Sequence, residues 1–216
     1  MRVLVLTSGG VDSTTSLGMA VEKYGKENVV SMSVSYGQKH SKELEASKAV
    51  AEYYGVEHIY VNLAEIFKYS DCSLLEHSDK DIPHDTYANQ LKDTDGEPVS
   101  TYVPFRNGLF LATAASVAIS RNCEAIYYGA HSDDAAGSAY PDCSAEFNKA
   151  IGDAIYIGSG KSVRVEAPFV QWTKKDIVKE GLKINVPYHL TWSCYEGKDK
   201  PCGKCGTCID REKAFE

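Results

Sequence analysis

The sequence predicts an α/β protein, with a doubly wound, mainly parallel sheet followed by a small C-terminal lobe that binds a metal through cysteines. Two observations lead to this fold class. Apolar, β-branched runs alternate with segments of helical periodicity, which is typical of a parallel sheet with crossover helices. Four of the seven cysteines lie within fifteen residues, where the alternation has stopped. We therefore expect a main domain at 1–187 and a metal-binding tail at 188–216.

The strands and helices can be assigned in order along the chain. The first strand ends at Ser-Gly-Gly, after which apolar residues recur at the spacing of a helix. Gly25 and Gly55 supply helix stops, and Thr173 with Asp176 has the pattern of a capping box. The predicted strands are 3–6, 29–36, 58–63, 125–130 and 163–169, and the predicted helices are 13–24, 41–54, 106–122, 145–157 and 172–182.

One stretch, residues 71–100, interrupts the alternation. It is acidic, contains proline and shows no sustained period. Loops of this length within a domain are usually functional or mobile. We expect a long insertion that passes over the sheet edge and covers the site.

The composition excludes several classes of protein. Lys and Arg total 23 and Asp and Glu total 30, and the resulting net charge of −7 argues against a non-specific nucleic-acid binder. The longest nearly apolar run, 109–119, is too short to span a bilayer, and the apolar run after Arg2 is too short for a secretory signal. We expect a cytoplasmic protein with no nucleic-acid or membrane partner.

The turn after the first strand has the composition of a phosphate-binding loop. Its glycines let the backbone curl tightly, so that N–H groups at the start of the next helix point toward an anion. Serine hydroxyls add donors, and Asp12 can hold a phosphate-bridging Mg²⁺ or order the loop. The alternative is an ordinary turn with an Asp or Ser helix cap. The residues assigned to the phosphates are Thr7, Ser8, Gly9, Gly10, Val11, Asp12, Ser13 and Thr14.

Four cysteines form a metal-binding pattern, Cys194-x7-Cys202-x2-Cys205-x2-Cys208. Glycines inside the two short spacers permit the turns that aim the sulfurs at one point. Tetrahedral Zn²⁺ fits this set well, and an iron–sulfur cluster is the alternative, because all-cysteine ligation suits both. The other cysteines lack such neighbours and are expected to be buried as small apolar side chains, namely Cys72, Cys123 and Cys143.

The string from Ser8 to Ser13 resembles the pyrophosphate-binding loop of the ATP pyrophosphatase, or PP-loop, superfamily. Members of that superfamily split ATP into AMP and pyrophosphate to activate an oxygen of the substrate. The resemblance implies an adenine nucleotide alpha hydrolase-like fold over residues 1–187, and it assigns ATP to residues 7–14.

Further stretches resemble one family, the 7-cyano-7-deazaguanine synthases of queuosine biosynthesis. They are Tyr-Gly-Gln-Lys-His at 36–40, Tyr-Val-Pro-Phe-Arg-Asn at 102–107, Tyr-Pro-Asp-Cys at 140–143 and Thr-Trp-Ser-Cys-Tyr at 191–195. The resemblance implies an ATP-dependent ligase that converts 7-carboxy-7-deazaguanine and free ammonia into the nitrile, through an acyl-adenylate and an amide. It also implies zinc on the four cysteines and a homodimer.

The same stretches supply the candidate site residues. Arg106 offers a planar fork to a phosphate or to the substrate carboxylate, and it joins Asp12 and Ser13 as the predicted catalytic residues. Asp142 can accept from guanine-like N–H groups, with a turn-forming carboxylate after proline as an equal alternative. His131 stands alone in the sequence and receives no role. The residues assigned to the substrate are Gln38, Arg106, Asn107, Asp134, Tyr140 and Asp142.

The chain departs from the family's pattern just before Tyr140. Ser138 and Ala139 stand where Ser-Gly is usual, in a loop at 133–139 that is longer than usual and borders the expected base pocket. Two other functions compete with the synthase. One is a tRNA thiolase or a similar ATP-activating tRNA modifier, which the net charge disfavours, and the other is a zinc-stabilised interaction protein without turnover.

Overall fold

The computed structural model describes residues 1–94, 97–135 and 139–216, and at Asp134 and Ala135 the backbone alone. The strands are β1 Val3–Leu6, β2 Val29–Ser35, β3 Glu57–Asn62, β4 Ala125–Tyr127 and β5 Arg164–Glu166. The helices within these ranges are α1 Val11–Tyr24, α2 Lys42–Tyr54, α3 Ala64–Phe67, α4 Tyr87–Lys92, α5 Arg106–Ser120, α6 Ser132–Ala135, α7 Ala145–Gly158, α8 Lys174–Lys183 and α9 Gly206–Phe215. Across the described residues, no helix combines the length and the apolar character needed to cross a membrane.

The strands form a parallel sheet, as predicted, and their order in it is β3-β2-β1-β4-β5. Val3 pairs with Val29 on one side and with Ala125 on the other, so β1 lies in the middle. Strands β2 and β3 are added in turn on one side of β1. The chain then crosses back, and β4 pairs with the other edge of β1. This reversal opens a crevice at the carboxyl ends of β1 and β4, which is where open α/β sheets bind ligands.

The two faces of the sheet are covered by different helices. Leu4 belongs to a core cluster that includes Leu111 of α5, whereas Val3 and Val5 pack with Leu17 of α1 on the opposite face. Successive side chains of a strand point to opposite faces, so the alternation of β1 distributes its residues between two cores. Helices on both faces confirm the doubly wound fold class.

The residues expected to end α1, to end α2 and to begin α8 do so in the structure. Gly25, with φ of 77°, follows α1, and Gly55, in the left-handed conformation, follows α2. Thr173 and Asp176 form the capping box that starts α8, since each side chain bonds the other residue's backbone N–H. The buried positions of Cys72, Cys123 and Cys143 also agree with the sequence-based prediction.

The periodicity did not reveal α3, α4, α6 and α9, and two of these lie in the insertion and in the tail. Residues 71–100 contain α4, whose first turn is capped by the side chain of Thr86. The tail contains α9, in which Ala214 packs with Val178 and Val186. Four of the ten residues of α9 are charged and only Ile209 and Phe215 are large and apolar, so its stability comes from docking against α8 rather than from an amphipathic pattern.

Strands β4 and β5 are shorter than predicted. The residues that follow β4, 128–130, line the cavity described below, although the Tyr128 N–H still donates to the Glu166 carbonyl oxygen of β5 at 3.1 Å. The run that predicted a longer strand therefore forms part of the cavity wall.

Candidate active site

A cavity of about 210 Å³ opens at the carboxyl ends of β1, β2 and β4. Its walls come from the loop after β1, the starts of α2, α5 and α8, and the C-terminal lobe. The cavity therefore lies in the crevice that the strand order creates. It brings together side chains from widely separated parts of the sequence.

The loop between β1 and α1 has a defined internal structure. The Ser8 N–H donates to Ser13 Oγ at 3.1 Å, and the Gly10 N–H donates to Ser8 Oγ at 3.3 Å. Gly9 has φ of 81°, and a Cβ at this position would lie 2.4 Å from the Glu43 carbonyl oxygen of α2. Only glycine satisfies both the left-handed backbone and this close approach.

The structure places most of the predicted phosphate-binding residues at the cavity. Gly9 instead faces α2, and the Thr14 side chain is buried inside the fold, with 1% exposed. The predicted residues that line the cavity are Thr7, Ser8, Gly10, Val11, Asp12 and Ser13.

The Thr7 side chain connects the loop to β2 and α2 through hydrogen bonds. Its Oγ1 lies 2.7 Å from Ser31 Oγ of β2, and Ser47 Oγ of α2 donates to Thr7 Oγ1 at 3.0 Å. Ser31 in turn contacts His58 Nδ1 at 2.9 Å. Buried hydroxyls satisfied in this way hold the loop in one position.

Asp12 lies in a cluster of charged side chains. Lys174 Nζ, at the start of α8, is 3.0 Å from Asp12 Oδ2, and His131 Nε2 is 3.6 Å from the same oxygen. Burial alone would raise the pKa of Asp12, but Lys174 and His131 lower it well below its ordinary value. Asp12 is therefore ionised at neutral pH.

Sequence reasoning missed two members of this cluster. The interpretation of His131 as isolated is wrong, because its side chain is 1% exposed and its Nε2 lies 3.6 Å from Asp12 Oδ2 and 3.5 Å from Lys174 Nζ. Lys174 received no role, although it follows the correctly predicted cap Thr173. Neither residue carries a local motif, because the contacts form only when β4 and α8 meet the loop.

Arg106 and Tyr36 form a stacked pair in the cavity wall. The Arg106 guanidinium carbon lies 5.1 Å from the centre of the Tyr36 ring, within the range of a cation–π interaction. Gln38 fixes this segment, because its Oε1 accepts from the Tyr36 N–H at 2.9 Å. Gln38 and Arg106, both assigned to the substrate from the sequence, line the cavity, and so does Tyr36, to which no role was assigned.

Glu43 is a further cavity residue that the sequence did not single out. It lies in the first turn of α2, and its side chain faces the region of Arg106. Burial raises the pKa of Glu43 to about 7, and the nearby charge of Arg106 limits that rise. A carboxyl group with such a pKa can exchange protons near neutral pH.

Asn107 and Asp142 are joined by hydrogen bonds at the start of α5. The Asn107 N–H donates to Asp142 Oδ2 at 2.8 Å, and Asn107 Nδ2 donates to the Asp142 carbonyl oxygen at 3.2 Å. Asn107 lines the cavity, whereas Asp142 lies behind it with 4% exposed. The contact shows Asp142 capping a helix N-terminus, a role close to the turn-forming alternative.

Tyrosines form an aromatic wall across the cavity. The rings of Tyr87 and Tyr140 meet edge to face at 5.5 Å, and Tyr87 Oη lies 3.0 Å from Tyr195 Oη. Thr101 Oγ1 contacts Tyr140 Oη at 2.6 Å. Tyr87 belongs to the 71–100 insertion, so that segment does contribute to the cavity. Such a wall suits a flat heterocycle.

Two predictions fall on residues or side chains that the structure does not describe. The Asp134 side chain and Ser138 lie outside the described residues, and only the backbone of Asp134, within α6, is seen. Ala139, the neighbour of Ser138, is fully buried.

The four predicted metal ligands converge. The sulfurs of Cys194, Cys202, Cys205 and Cys208 all lie within 4.8 Å of one another. Cys202 and Cys208 are 3.9 Å apart, close to the ~3.8 Å expected between sulfurs bound tetrahedrally to one Zn²⁺ at ~2.3 Å. Because a cluster interposes iron and sulfide ions between thiolates, this close spacing favours a single ion.

Backbone N–H groups favour the thiolate form of one of these residues, Cys202. Partial burial of Cys202 works against its charge, but the N–H groups of Lys204 and Cys205 lower its pKa to about 7. They donate to Cys202 Sγ at 3.4 and 3.3 Å. A thiolate is the metal-binding form of cysteine, so this environment suits a ligand.

The cysteine lobe also builds part of the cavity. Trp192, Ser193, Tyr195 and Thr207 line it, and Thr207 Oγ1 donates to the Ser193 carbonyl oxygen at 2.6 Å. The Trp192 N–H donates to the Gly9 carbonyl oxygen at 2.9 Å. The lobe is thus attached directly to the phosphate loop.

Structural comparison agrees with this architecture. The chain is similar to the U34-tRNA thiolase NcsA from Methanococcus maripaludis, solved with its [4Fe-4S] cluster, at a TM-score of 0.54 and 16% identity. The match covers 100% of this chain and 64% of the thiolase, so the chain spans just under two thirds of that protein's length. NMN synthetase from Francisella tularensis matches at a TM-score of 0.54 and 14% identity, covering 100% of this chain and 77% of that one. At these identities the likeness shows a shared fold.

Sequence comparison is more specific. The 7-cyano-7-deazaguanine synthase of Archaeoglobus fulgidus is 41% identical over 216 residues, covering 100% of this chain and 86% of the relative. The enzyme of the same name from Caldicellulosiruptor saccharolyticus is 44% identical over 215 residues, with coverages of 100% and 91%. The family model "Queuosine biosynthesis protein QueC" matches residues 2–216. The chain therefore belongs to the QueC family of queuosine biosynthesis proteins.

Proposed function

We propose that this protein uses ATP to convert 7-carboxy-7-deazaguanine and ammonia into 7-cyano-7-deazaguanine, through an acyl-adenylate and an amide. One observation carries the proposal: the phosphate loop, the stacked Arg106 and the tyrosine wall line a single cavity in a chain of this family. The cavity thus presents groups suited to phosphate and groups suited to a flat base in one place.

The loop at residues 7–14 is proposed to bind the ATP phosphates. The first N–H groups of α1 have no partners within the helix, and the positive end of the helix dipole points into the cavity. Lys174 adds a cation beside the loop, because its side chain both pairs with Asp12 and lines the cavity. Ser8 and Ser13 contribute hydroxyl donors.

Asp12 is proposed to serve Mg²⁺ bound with the nucleotide. Its Oδ2 is engaged by Lys174, while its buried Oδ1 has no hydrogen-bond partner among the described residues. Mg²⁺ is usually held by one or two carboxylates together with substrate phosphates, so this unpartnered oxygen fits the ion. When bound, Mg²⁺ neutralises phosphate charge.

The other end of the cavity is proposed to hold the base. The tyrosine wall can pack against the deazaguanine ring, and Arg106 can pair with the substrate carboxylate. Asn107, Tyr140 and Gln38 present polar groups near the same space. Asp142 supports Asn107 from behind, and both Asp142 and Asp134 remain proposed readers of the base edge.

The reaction requires two activations, because neither a carboxylate nor an amide is a good electrophile. In the first, a carboxylate oxygen attacks the α-phosphorus of ATP and pyrophosphate leaves. Ammonia then attacks the acyl carbon and AMP leaves, which gives the amide. In the second, the amide oxygen attacks the α-phosphorus of another ATP and pyrophosphate leaves, and that oxygen then departs with AMP as the nitrile forms. The cavity stabilises phosphate charge in both rounds.

The four cysteines are proposed to hold one structural Zn²⁺ in the lobe at 188–216. An all-thiolate site with no open position is typical of structural rather than catalytic zinc. We further propose a cytoplasmic homodimer, as expected for this family, with small-molecule substrates and no nucleic-acid or membrane partner.

A product assay tests the function. Purified protein with carboxydeazaguanine, ammonium, Mg²⁺ and ATP should release AMP and yield the nitrile by mass spectrometry. An ATP analogue with a methylene bridge between the α- and β-phosphorus should support neither product. If ATP gives no AMP and no nitrile, the proposal is rejected.

A further inference from the structure

We propose that Glu43 is the catalytic base that accepts protons from the substrate nitrogen after ammonia attacks. This inference rests on the proposed function, and it adds a residue to which the sequence motifs assigned no role. Each activation cycle releases protons from nitrogen, and the phosphate loop contains no group suited to take them.

The position of Glu43 places it between the two proposed binding regions. Its backbone carbonyl lies against Gly9 of the phosphate loop, so close that a Cβ on Gly9 would be 2.4 Å away. Its side chain lines the cavity, and the charge of Arg106 lowers the pKa of Glu43. Arg106 is where the substrate carboxylate is proposed to bind. The acyl carbon and the α-phosphate must meet between these two points.

The carboxyl group of Glu43 is free for proton transfer. Within the described part of the chain, its side chain has no ion pair within 4.0 Å and no hydrogen bond. Asp12, the other cavity carboxylate, is held by Lys174 at 3.0 Å. Of the two, Glu43 alone has both oxygens available.

Five other titratable groups that line the cavity are poor bases near neutral pH, and His131, which is 1% exposed, does not line it. Arg106 and Lys174 are cations, and Asp12 is held ionised at a pKa well below its ordinary value, so it accepts protons weakly. Burial raises the pKa of Tyr36, and the nearby charge of Glu43 raises it further. Burial also raises the pKa of Tyr195, so both phenols stay protonated.

Glu43 has the proton affinity that the step needs. Burial raises its pKa to about 7. A base works best when its pKa is close to the working pH, and such proton transfers contribute roughly 10²–10⁴-fold to rate.

The step balances as follows. The nitrogen of NH₃ forms a bond to the acyl carbon, the Glu43 carboxylate takes one proton from that nitrogen, and the C–O bond to AMP breaks to give the amide. After the second adenylation, the nitrogen loses its two remaining protons while the C–O bond to AMP breaks and the nitrile forms. Glu43 passes each proton to solvent before it accepts the next.

The variant Glu43→Gln tests the proposal because it keeps the shape and removes the base. Exchange of labelled pyrophosphate into ATP, driven by carboxydeazaguanine without ammonia, reports the first adenylation alone. We expect this exchange to stay within about three-fold of wild type, while ammonia-dependent amide formation falls roughly 10²–10⁴-fold. Glu52→Gln, an exposed carboxyl on the same helix, should change neither rate.

A pH profile gives a second measurement. At a fixed concentration of uncharged ammonia, the wild-type rate should rise with pH up to about 7 and then level off, because Glu43 must be ionised to accept a proton. The variant should lack this rise. Equal losses of exchange and amide formation, or no loss in either, would overturn the role of Glu43. Absence of exchange in the wild type would instead overturn the proposed function, and this inference with it.

Folding of the variant is checked separately. A buried carboxylate that must ionise above pH 7 destabilises the native state, so Glu43→Gln should melt at or above the wild-type temperature at pH 8. A lower melting temperature with parallel loss of both activities would show that Glu43 is structural, and it would reject the proposal.

Discussion

Lys174 Nζ lies 3.0 Å from Asp12 Oδ2, so an ion pair joins the start of α8 to the first turn of α1. Asp12 is 19% exposed and Lys174 13% exposed, which shields the pair from solvent. The phosphate loop is therefore held from the side by a helix that lies far away in the sequence.

Lys174→Ala should impair both stability and nucleotide use. The change leaves Asp12 partly buried without its main cation, which should lower the free energy of unfolding by about 1–3 kcal/mol in urea titrations. Loss of the cation should reduce kcat/KM for ATP by roughly 10²-fold. Lys175→Ala removes an exposed neighbour on the same helix and should behave like wild type. Equal effects of the two variants would contradict the assigned role.

The Asp12 carboxylate should stabilise the fold in a pH-dependent way. Lys174 and His131 outweigh burial and keep its pKa below the ordinary 3.8, so the stabilisation exists above that pH and disappears as pH falls toward the folded-state value. In denaturant titrations, Asp12→Asn should be less stable than wild type at pH 7. The difference should shrink below pH ~4. A difference that stays constant down to pH 3 would show that charge is not the cause.

Arg106→Lys should fail to replace arginine. A lysine ammonium is compact and lacks the planar fork that can stack on Tyr36 while pairing with a carboxylate. We expect kcat/KM for carboxydeazaguanine to fall roughly 10²-fold. Arg164 provides a matched control, because its guanidinium also lies 5.1 Å from a tyrosine ring, that of Tyr156, outside the cavity. Arg164→Lys should leave kinetics unchanged, and a similar fall in both variants would refute a specific role for Arg106.

Asp142→Ala should weaken the start of α5. The Asn107 N–H would lose its acceptor, at a cost of about 1 kcal/mol in unfolding free energy. Because Asn107 lines the cavity, KM for the base should also rise. Asp142→Asn keeps an acceptor oxygen and should retain most of the stability. Unchanged stability of the alanine variant would argue against the capping contact.

Metal removal should abolish activity, because the C-terminal lobe would unfold and lose its contact with the phosphate loop. A chelator that strips Zn²⁺ should lower the melting temperature and abolish product formation, and added Zn²⁺ should restore both, since folding of such lobes is coupled to metal binding. Cys208→Ser should lose the metal, whereas Cys123→Ala, a buried cysteine distant from the lobe, should keep one zinc per chain in metal analysis. Full activity of metal-free protein would exclude a structural role for the ion.

The parts predicted from sequence are those that local chemistry determines. The strand-to-helix turn requires Gly9 for its backbone, the capping box needs Thr173 and Asp176 at fixed spacing, and the cysteines occur in one short stretch. Each signal is contained within a few residues, so it is visible before the fold is known. The alternation of strands and helices likewise predicts the parallel sheet.

The parts that sequence did not reveal depend on long-range packing. Lys174 and Glu43 line the cavity from the starts of α8 and α2, and His131, which follows β4, contacts Asp12 and Lys174. None of the three has a motif around it. Their roles arise from burial and from the charges that the fold places beside them. The helix α9 was missed for a related reason, because its stability comes from contact with α8.

The hydrogen bond from the Trp192 N–H to the Gly9 carbonyl oxygen has a consequence for biosynthesis. During translation the phosphate loop is made before the segment that fastens it. A nascent chain therefore carries an incomplete cavity until the cysteine lobe has emerged and docked.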